Sequence, residues 1–325
     1  MSGWAWLDRY HVCFNEPVWA DLYSVPDGAL LGEADFIVVI VSTLQKEIRR
    51  WQTELFVNMW NATGQMQTGT NIDAFFQFDS CLVSATENSA QGFEIPAECK
   101  IRSEFPPPEG AIPIGLNQPK YGWWVFSADE TTDFVWPTTS WTLQVGNQAT
   151  TYRALWNQPL WLGVRCDTAP YFGFAQGGCV AAYAPAVFEL SISDPTVAQA
   201  AAFYRDAQLQ LPHDGYYVGP GRYVPVDDPL ENGAWGPLNP LTRAFNPDIR
   251  RLNNDTACAG FIPEHAGEEC DEYPFASTNQ GAAFGSYMVR SIPGDQNGKA
   301  GSLLSAFYQE NHVIDGDEFS VWIKP

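Results

Sequence analysis

Along the first half of the chain, apolar residues recur at every second position. Trp51, Leu55, Val57 and Met59 alternate with Gln52, Glu54 and Asn58, the period of a strand with one buried face. Asn61-Ala62-Thr63-Gly64 then supplies a turn, and Ile72, Ala74, Phe76 and Phe78 resume the alternation. Gly122–Ser127, Trp141–Val145 and Tyr152–Trp156 are further strand candidates. Pro106-Pro107-Pro108 with Glu109-Gly110 breaks the run, where a crossing between sheets is expected. Strands this short and this regularly spaced predict an antiparallel β-sandwich over residues 1–165.

The period changes in the second half. Asp194-Pro195 reads as a helix start, and Val197, Ala200, Ala201 and Tyr204 form one apolar face before Leu211-Pro212 ends the helix. Residues 212–240 read as a long Gly/Pro-rich loop. The last group reads as loop (258–283), strand (Phe284–Ile292), helix (about Gly298–Glu310) and strand (Phe319–Ile323). Leu303, Leu304, Phe307 and Tyr308 line one side of that helix. The fold class expected is therefore mixed β and α+β: a β-sandwich of unknown role over 1–165, then a small α+β domain over 166–325. No internal repeat or low-complexity tract interrupts this pattern.

Composition agrees with turn-rich β structure. Of 325 residues, 45% are hydrophobic and only 17% charged, with 24 Pro and 27 Gly. No apolar run approaches the roughly 18 residues that span a bilayer. Phe36-Ile37-Val38-Val39-Ile40-Val41 is β-branched and strand-length. Met1–Cys13 lacks the basic start and apolar centre of a signal peptide, so a leader is expected to have been removed or truncated. Seven cysteines include no C-x-x-C pair, which argues against zinc fingers. Pairing in sequence order would give Cys81–Cys99, Cys166–Cys179 and Cys258–Cys270, leaving Cys13 over, in a protein secreted to an oxidising compartment. The alternative is seven reduced, buried thiols.

Chemistry concentrates near the C-terminus. Cys270-Asp271-Glu272-Tyr273-Pro274-Phe275-Ala276-Ser277-Thr278 sets an acidic pair beside a cysteine and a rigid proline. About twenty-five residues on, Asn297-Gly298-Lys299-Ala300-Gly301-Ser302 opens the final helix. Carboxylate and amide oxygens suit hard divalent cations, and a carboxylate serves as a general base toward water. Asp271 and Glu272 are adjacent, so on extended backbone they point to opposite sides and at most one faces a reaction centre. Asn297 at the start of a helix is read either as a cap or as a ligand. Asp315-Gly316-Asp317-Glu318 lacks the spaced ligands of a calcium loop and reads as a turn into the last strand.

The two motifs, with the closing Phe307–Phe319 segment, resemble the NucA/NucB-type secreted deoxyribonucleases, in particular long members with a β-rich region ahead of the nuclease domain. That resemblance implies a ββα-metal-like nuclease domain and a monomeric, metal-dependent endonuclease acting on DNA without strong sequence specificity. It implies Asp271, with Glu272, in catalysis; Asn297 and Gln280 toward Mg²⁺ or Mn²⁺; and Arg243, Arg290 and Lys299 toward substrate phosphates. Two positions depart from the family pattern. Gln280 stands where an acidic residue is common, and His312 where an arginine is expected. The net charge of −21 also runs against phosphate binding, and from Pro240 to Pro325 six basic residues face twelve acidic ones. A second reading follows: a weakened nuclease-like domain fused to a β-sandwich module that binds cell wall or polysaccharide.

Overall fold

The computed structural model describes residues 3–24, 27–84, 101–103, 112–128, 134–147, 153–160, 163–168, 177–212, 219–223 and 239–325. The chain divides into two compact units, Met1–Ala184 and Pro185–Pro325.

In the first unit, every pairing between the described strands is antiparallel. Strands β1 (Gly3–Trp6), β2 (His11–Tyr23), β3 (Leu30–Leu44) and β4 (Arg50–Ala62) lie side by side. Strands β5 (Thr70–Ser84), β6 (Ile101–Ser103), β7 (Ile112–Pro113), β8 (Lys120–Ala128), β9 (Phe134–Asn147), β10 (Arg153–Leu160), β11 (Val164–Asp167) and β12 (Gly178–Ala181) follow in the chain. One sheet runs β1-β2-β3-β4-β8-β6, and the other β12-β11-β9-β5-β7 with β10 also on β9. Neither order closes into a barrel. The expected alternation in β4 holds: Trp51, Leu55, Val57 and Met59 are buried, whereas Glu54 is exposed. They join Phe14 and Val18 of β2, Phe36, Val38 and Ile40 of β3, and Val164 and Cys166 of β11 in one apolar cluster. Burial of such side chains contributes about 1.5–3 kcal/mol each. Two buried polar pairs lie among these strands, Ser42 with Thr53 at 3.0 Å and Arg165 Nε with Asp167 Oδ2 at 3.1 Å.

Residues 166–184 belong to the first unit, for a pairing reason. β11 adds to β9, β12 adds to β11, and the Cys166–Cys179 disulfide closes that hairpin, so residues 166–184 stay with the first unit. Cys13 is free. Cys99 and the Pro106–Pro108 segment lie outside the described residues.

The second unit mixes helices and short strands. β13 (Val187–Ser191) runs parallel to the last strand, and α1 (Ala198–Gln210) follows it. The helix starts later than Asp194-Pro195 suggests, because the Asp194 carboxylate accepts from Thr196 N (2.9 Å) and Oγ1 (2.7 Å), forming a turn first. β14 (Leu241–Thr242) leads to α2 (Pro247–Cys258), which the periodicity reading did not anticipate. Its start is nevertheless written locally: Asn246 Oδ1 accepts from Asp248 N, and Pro247 occupies the first turn. β15 (Glu268–Tyr273) pairs with β16 (Met288–Pro293), α3 (Gly294–Glu310) comes next, and β17 (Glu318–Lys324) closes the three-stranded sheet β13-β17-β14. The stretch 268–273 is thus a strand inside a region expected to be loop. As expected, Asp315–Asp317 forms a turn into β17, with Gly316 at φ 83°.

Candidate active site

The β15–β16 ribbon packs α1 and α2 on opposite sides, and α3 meets its end. Alternation along β15 assigns the side chains: Glu269, Asp271 and Tyr273 to the α1 side, Cys270 and Glu272 to the α2 side. Tyr273 stacks near Tyr204 of α1 (5.6 Å between centroids), and its hydroxyl donates to Pro220 O at 2.7 Å while accepting from Gln208 Nε2 at 3.0 Å. On the other side, Cys270 is disulfide-bonded to Cys258 at the end of α2. The loop after β15 begins with a cis Tyr273–Pro274 peptide bond. Asn253 of α2 holds that loop, donating to Ala276 O and Thr278 O at 2.9 Å each and accepting from Ala283 N at 3.1 Å. A Cβ on Gly281 would sit 2.3 Å from the Asn253 amide, so this close approach requires glycine.

Asp271 is 6% exposed. Its Oδ1 accepts from Glu272 N at 2.9 Å, while Oδ2 is buried without a hydrogen-bond partner among the described residues. Burial is the main reason its carboxyl is pushed up to about 7; the Tyr204 hydroxyl beside it opposes the rise, and the Glu272 charge adds to it. The Tyr204 phenol is in turn raised well above its ordinary value, chiefly by burial. A carboxylate poised near neutrality with one free oxygen is suited to proton transfer.

Asn297 lies in the first turn of α3 without capping it, since the helix begins at Gly294. Its Nδ2 is 3.4 Å from both Glu269 Oε2 and Cys270 O of β15. Arg290 stands opposite Asp271 across the ribbon; its Nη1 donates to Asp206 Oδ2 at 3.0 Å and its guanidinium lies over Phe203 at 5.0 Å. Lys299 is exposed two residues beyond Asn297.

The other expected site residues are held elsewhere. Glu272 is buried toward α2, its carboxylate 3.7 Å from Cys258 Sγ; burial raises it and Arg250 partly offsets the rise. The two acidic neighbours therefore do not share a face. The Gln280 amide is engaged with Thr242 of β14, accepting from its N at 2.8 Å and donating to its Oγ1 at 3.1 Å. Arg243 is buried, donates to Val313 O and lies 4.4 Å from the Tyr308 ring. Two residues that sequence reasoning passed over join Asp271: Glu269, two positions earlier on the same strand face, and Tyr204. Period-2 counting back from Asp271 would have found Glu269, whereas Tyr204 carried no signal beyond its place on an apolar helix face.

The donor set toward a divalent cation is small. Among the described residues, no three or more His, Cys, Asp or Glu side chains cluster as a metal group. The oxygens of Glu269, Asn297 and the unpartnered Asp271 Oδ2 are nonetheless the hard donors that Mg²⁺ or Mn²⁺ accepts.

No helix among the described residues is long and apolar enough to cross a membrane. No curated protein and no solved structure matches the chain. Residues 250–322, from α2 through most of β17, match the family model for deoxyribonuclease NucA/NucB, which indicates a nuclease acting on DNA in the segment that carries Asp271 and Asn297.

Proposed function

We propose that the second unit is a secreted, metal-dependent endonuclease that hydrolyses DNA phosphodiester bonds with little sequence preference, its β15, β16 and α3 forming a ββα-metal-like core. The observation that carries this reading is Asp271: a buried carboxylate with an unengaged oxygen, pushed up to about 7, inside the segment that matches the nuclease family. Asp271 takes the proton of an attacking water. The water oxygen bonds to phosphorus as the bond to the leaving 3′ oxygen breaks, and that oxygen is protonated from solvent. Tyr204 orients and tunes Asp271 from α1. Asn297, with Glu269, would hold the divalent cation, which when bound supplies charge neutralisation at the phosphate. Lys299, exposed near the same helix end, contributes a phosphate contact, as does Arg290 from its pairing with Asp206. Two disulfides among the described residues support secretion to an oxidising compartment. The first unit, with two antiparallel sheets sharing one apolar cluster, is read as a β-sandwich.

Nicking of supercoiled plasmid with Mg²⁺ or Mn²⁺, and with EDTA, tests the proposal. Wild-type protein is expected to nick only with metal, and Asp271→Ala to lose about 10²–10⁴-fold in rate, the usual worth of a general base. Intact plasmid with wild-type protein and either metal between pH 6 and 9 would reject the reading.

A further inference from the structure

One face of the first sheet carries aromatic side chains that its core does not use. Trp19 of β2 is 74% exposed, Trp60 of β4 53% and Tyr121 of β8 70%. Trp19 lies opposite Asp35, and Asp35 opposite Asn61, so three strands contribute to one cross-strand row. The register shift at Asp35/Phe36 pairs Phe36 with Met59 and Asp35 with Asn61. Trp60 is thereby left without a partner on β3, a bulge that aims it at solvent beside Asn61. Asn61 Nδ2 donates to Asp35 Oδ2 at 2.8 Å, and among the described residues nothing else bonds Asp35 Oδ1 or Asn61 Oδ1. Tyr121 is steadied by Phe56, its opposite across β4 and β8, with ring centroids 5.1 Å apart. Two interstrand spacings, about 10 Å, separate the strand of Trp19 from that of Trp60.

We propose that this face binds an uncharged β-linked polysaccharide. Adjacent pyranose rings lay their apolar C–H faces on Trp19 and Trp60, and hydroxyl groups between them bond Asp35 and Asn61. Three observations select this occupant. An open sheet face suits an extended chain, whereas a small molecule needs a concave pocket. Aromatic platforms that take single-stranded nucleic acid are lined with basic residues. Here the same strands present Asp21, Glu33, Asp35 and Glu54, which repel a phosphate backbone. A protein partner would favour an apolar, charge-depleted centre, and this centre holds a carboxylate–amide pair.

The proposal goes beyond the nuclease reading and has its own readout. Full-length protein is mixed with microcrystalline cellulose or chitin, and depletion from the supernatant is measured. At least one polysaccharide should deplete wild-type protein. The Trp19→Ala/Trp60→Ala variant should bind at least tenfold more weakly with an unchanged melting temperature, and Tyr121→Ala should weaken binding less. Asp35→Ala, which leaves the aromatics in place, should also weaken it. No depletion by either polysaccharide, or equal depletion of the tryptophan variant, overturns the proposal. So does tryptophan-dependent binding to oligothymidylate or concentration-dependent dimerisation in place of polysaccharide binding. Plasmid nicking in the same preparations reads the second unit separately, so failure of one reading is not failure of the other.

Discussion

At the residue scale, the chemistry turns on one carboxyl group. Asp271 has a folded-state value of about 7 against about 4 in an unfolded chain, so the folded state favours its protonated form. The sign follows: below pH 4 both states are protonated and Asp271 costs nothing, and as pH rises from 4 to 7 it ionises in the unfolded chain first. The native state therefore loses stability through that window, by about 4 kcal/mol at its limit. Melting of Asp271→Asn should lack this decline, and a variant whose stability falls between pH 4 and 7 as steeply as wild type would contradict the assignment. Ionisation is also what a base requires, so nicking should rise with pH through about 7. The Tyr204 hydroxyl holds the Asp271 value down, so Tyr204→Phe should move that rise to higher pH. An unmoved pH profile would leave Tyr204 a packing residue alone. Asp271 was legible from its motif. Its raised value was not, because desolvation depends on α1, whose residues lie some 65 positions earlier in the chain.

At the element scale, the site rests on how α2 and α3 hold the β15–β16 ribbon. The Cys258–Cys270 disulfide ties the end of α2 to the residue before Asp271. Closing a loop this short is worth about 3 kcal/mol in the unfolded-chain model. Cys258→Ser/Cys270→Ser should thus lower stability by about that amount in denaturant unfolding, and nicking should fall further than the unfolded fraction explains if the tether also aims Asp271. This pairing was readable from cysteine order. β15 was not, because its only alternation falls among charged residues, where Asp271 and Glu272 are both buried by helices the strand pattern cannot foresee. α2 was missed although Asn246-Pro247 states its start, since most of its residues are polar and only Asn253 and Ala257 are buried along it.

At the scale of the whole molecule, charge is the opposing term. The net charge of −21 disfavours any polyanion, and of the cations near the site Arg243 is buried and Arg290 is paired with Asp206. Lys299 is exposed, so it should dominate the electrostatic part of DNA affinity. Lys299→Ala is expected to reduce the slope of log affinity against log salt by about 1, measured with an uncleaved duplex and metal withheld. An unchanged slope would remove Lys299 from the phosphate contacts.

Local pattern sufficed wherever side chains meet neighbours close in sequence. Alternation marked β4, Gly122–Ser127 was read as the strand that β8 contains, the turn at Asp315–Asp317 was read as a turn, and the order of cysteines paired Cys166 with Cys179 and Cys258 with Cys270. The opposition of Asp271 and Glu272 also followed from strand geometry alone. Long-range packing decided what those groups face. Gln280 and Arg243 sit in the same motif-bearing region as Asp271, yet Thr242 holds one and Val313 with Tyr308 the other. Tyr204 reaches the Asp271 side because α1 packs on the ribbon. A residue's period gives the direction it points, whereas its partner and its dielectric surroundings come from chain segments tens of residues away, which only the folded structure brings together.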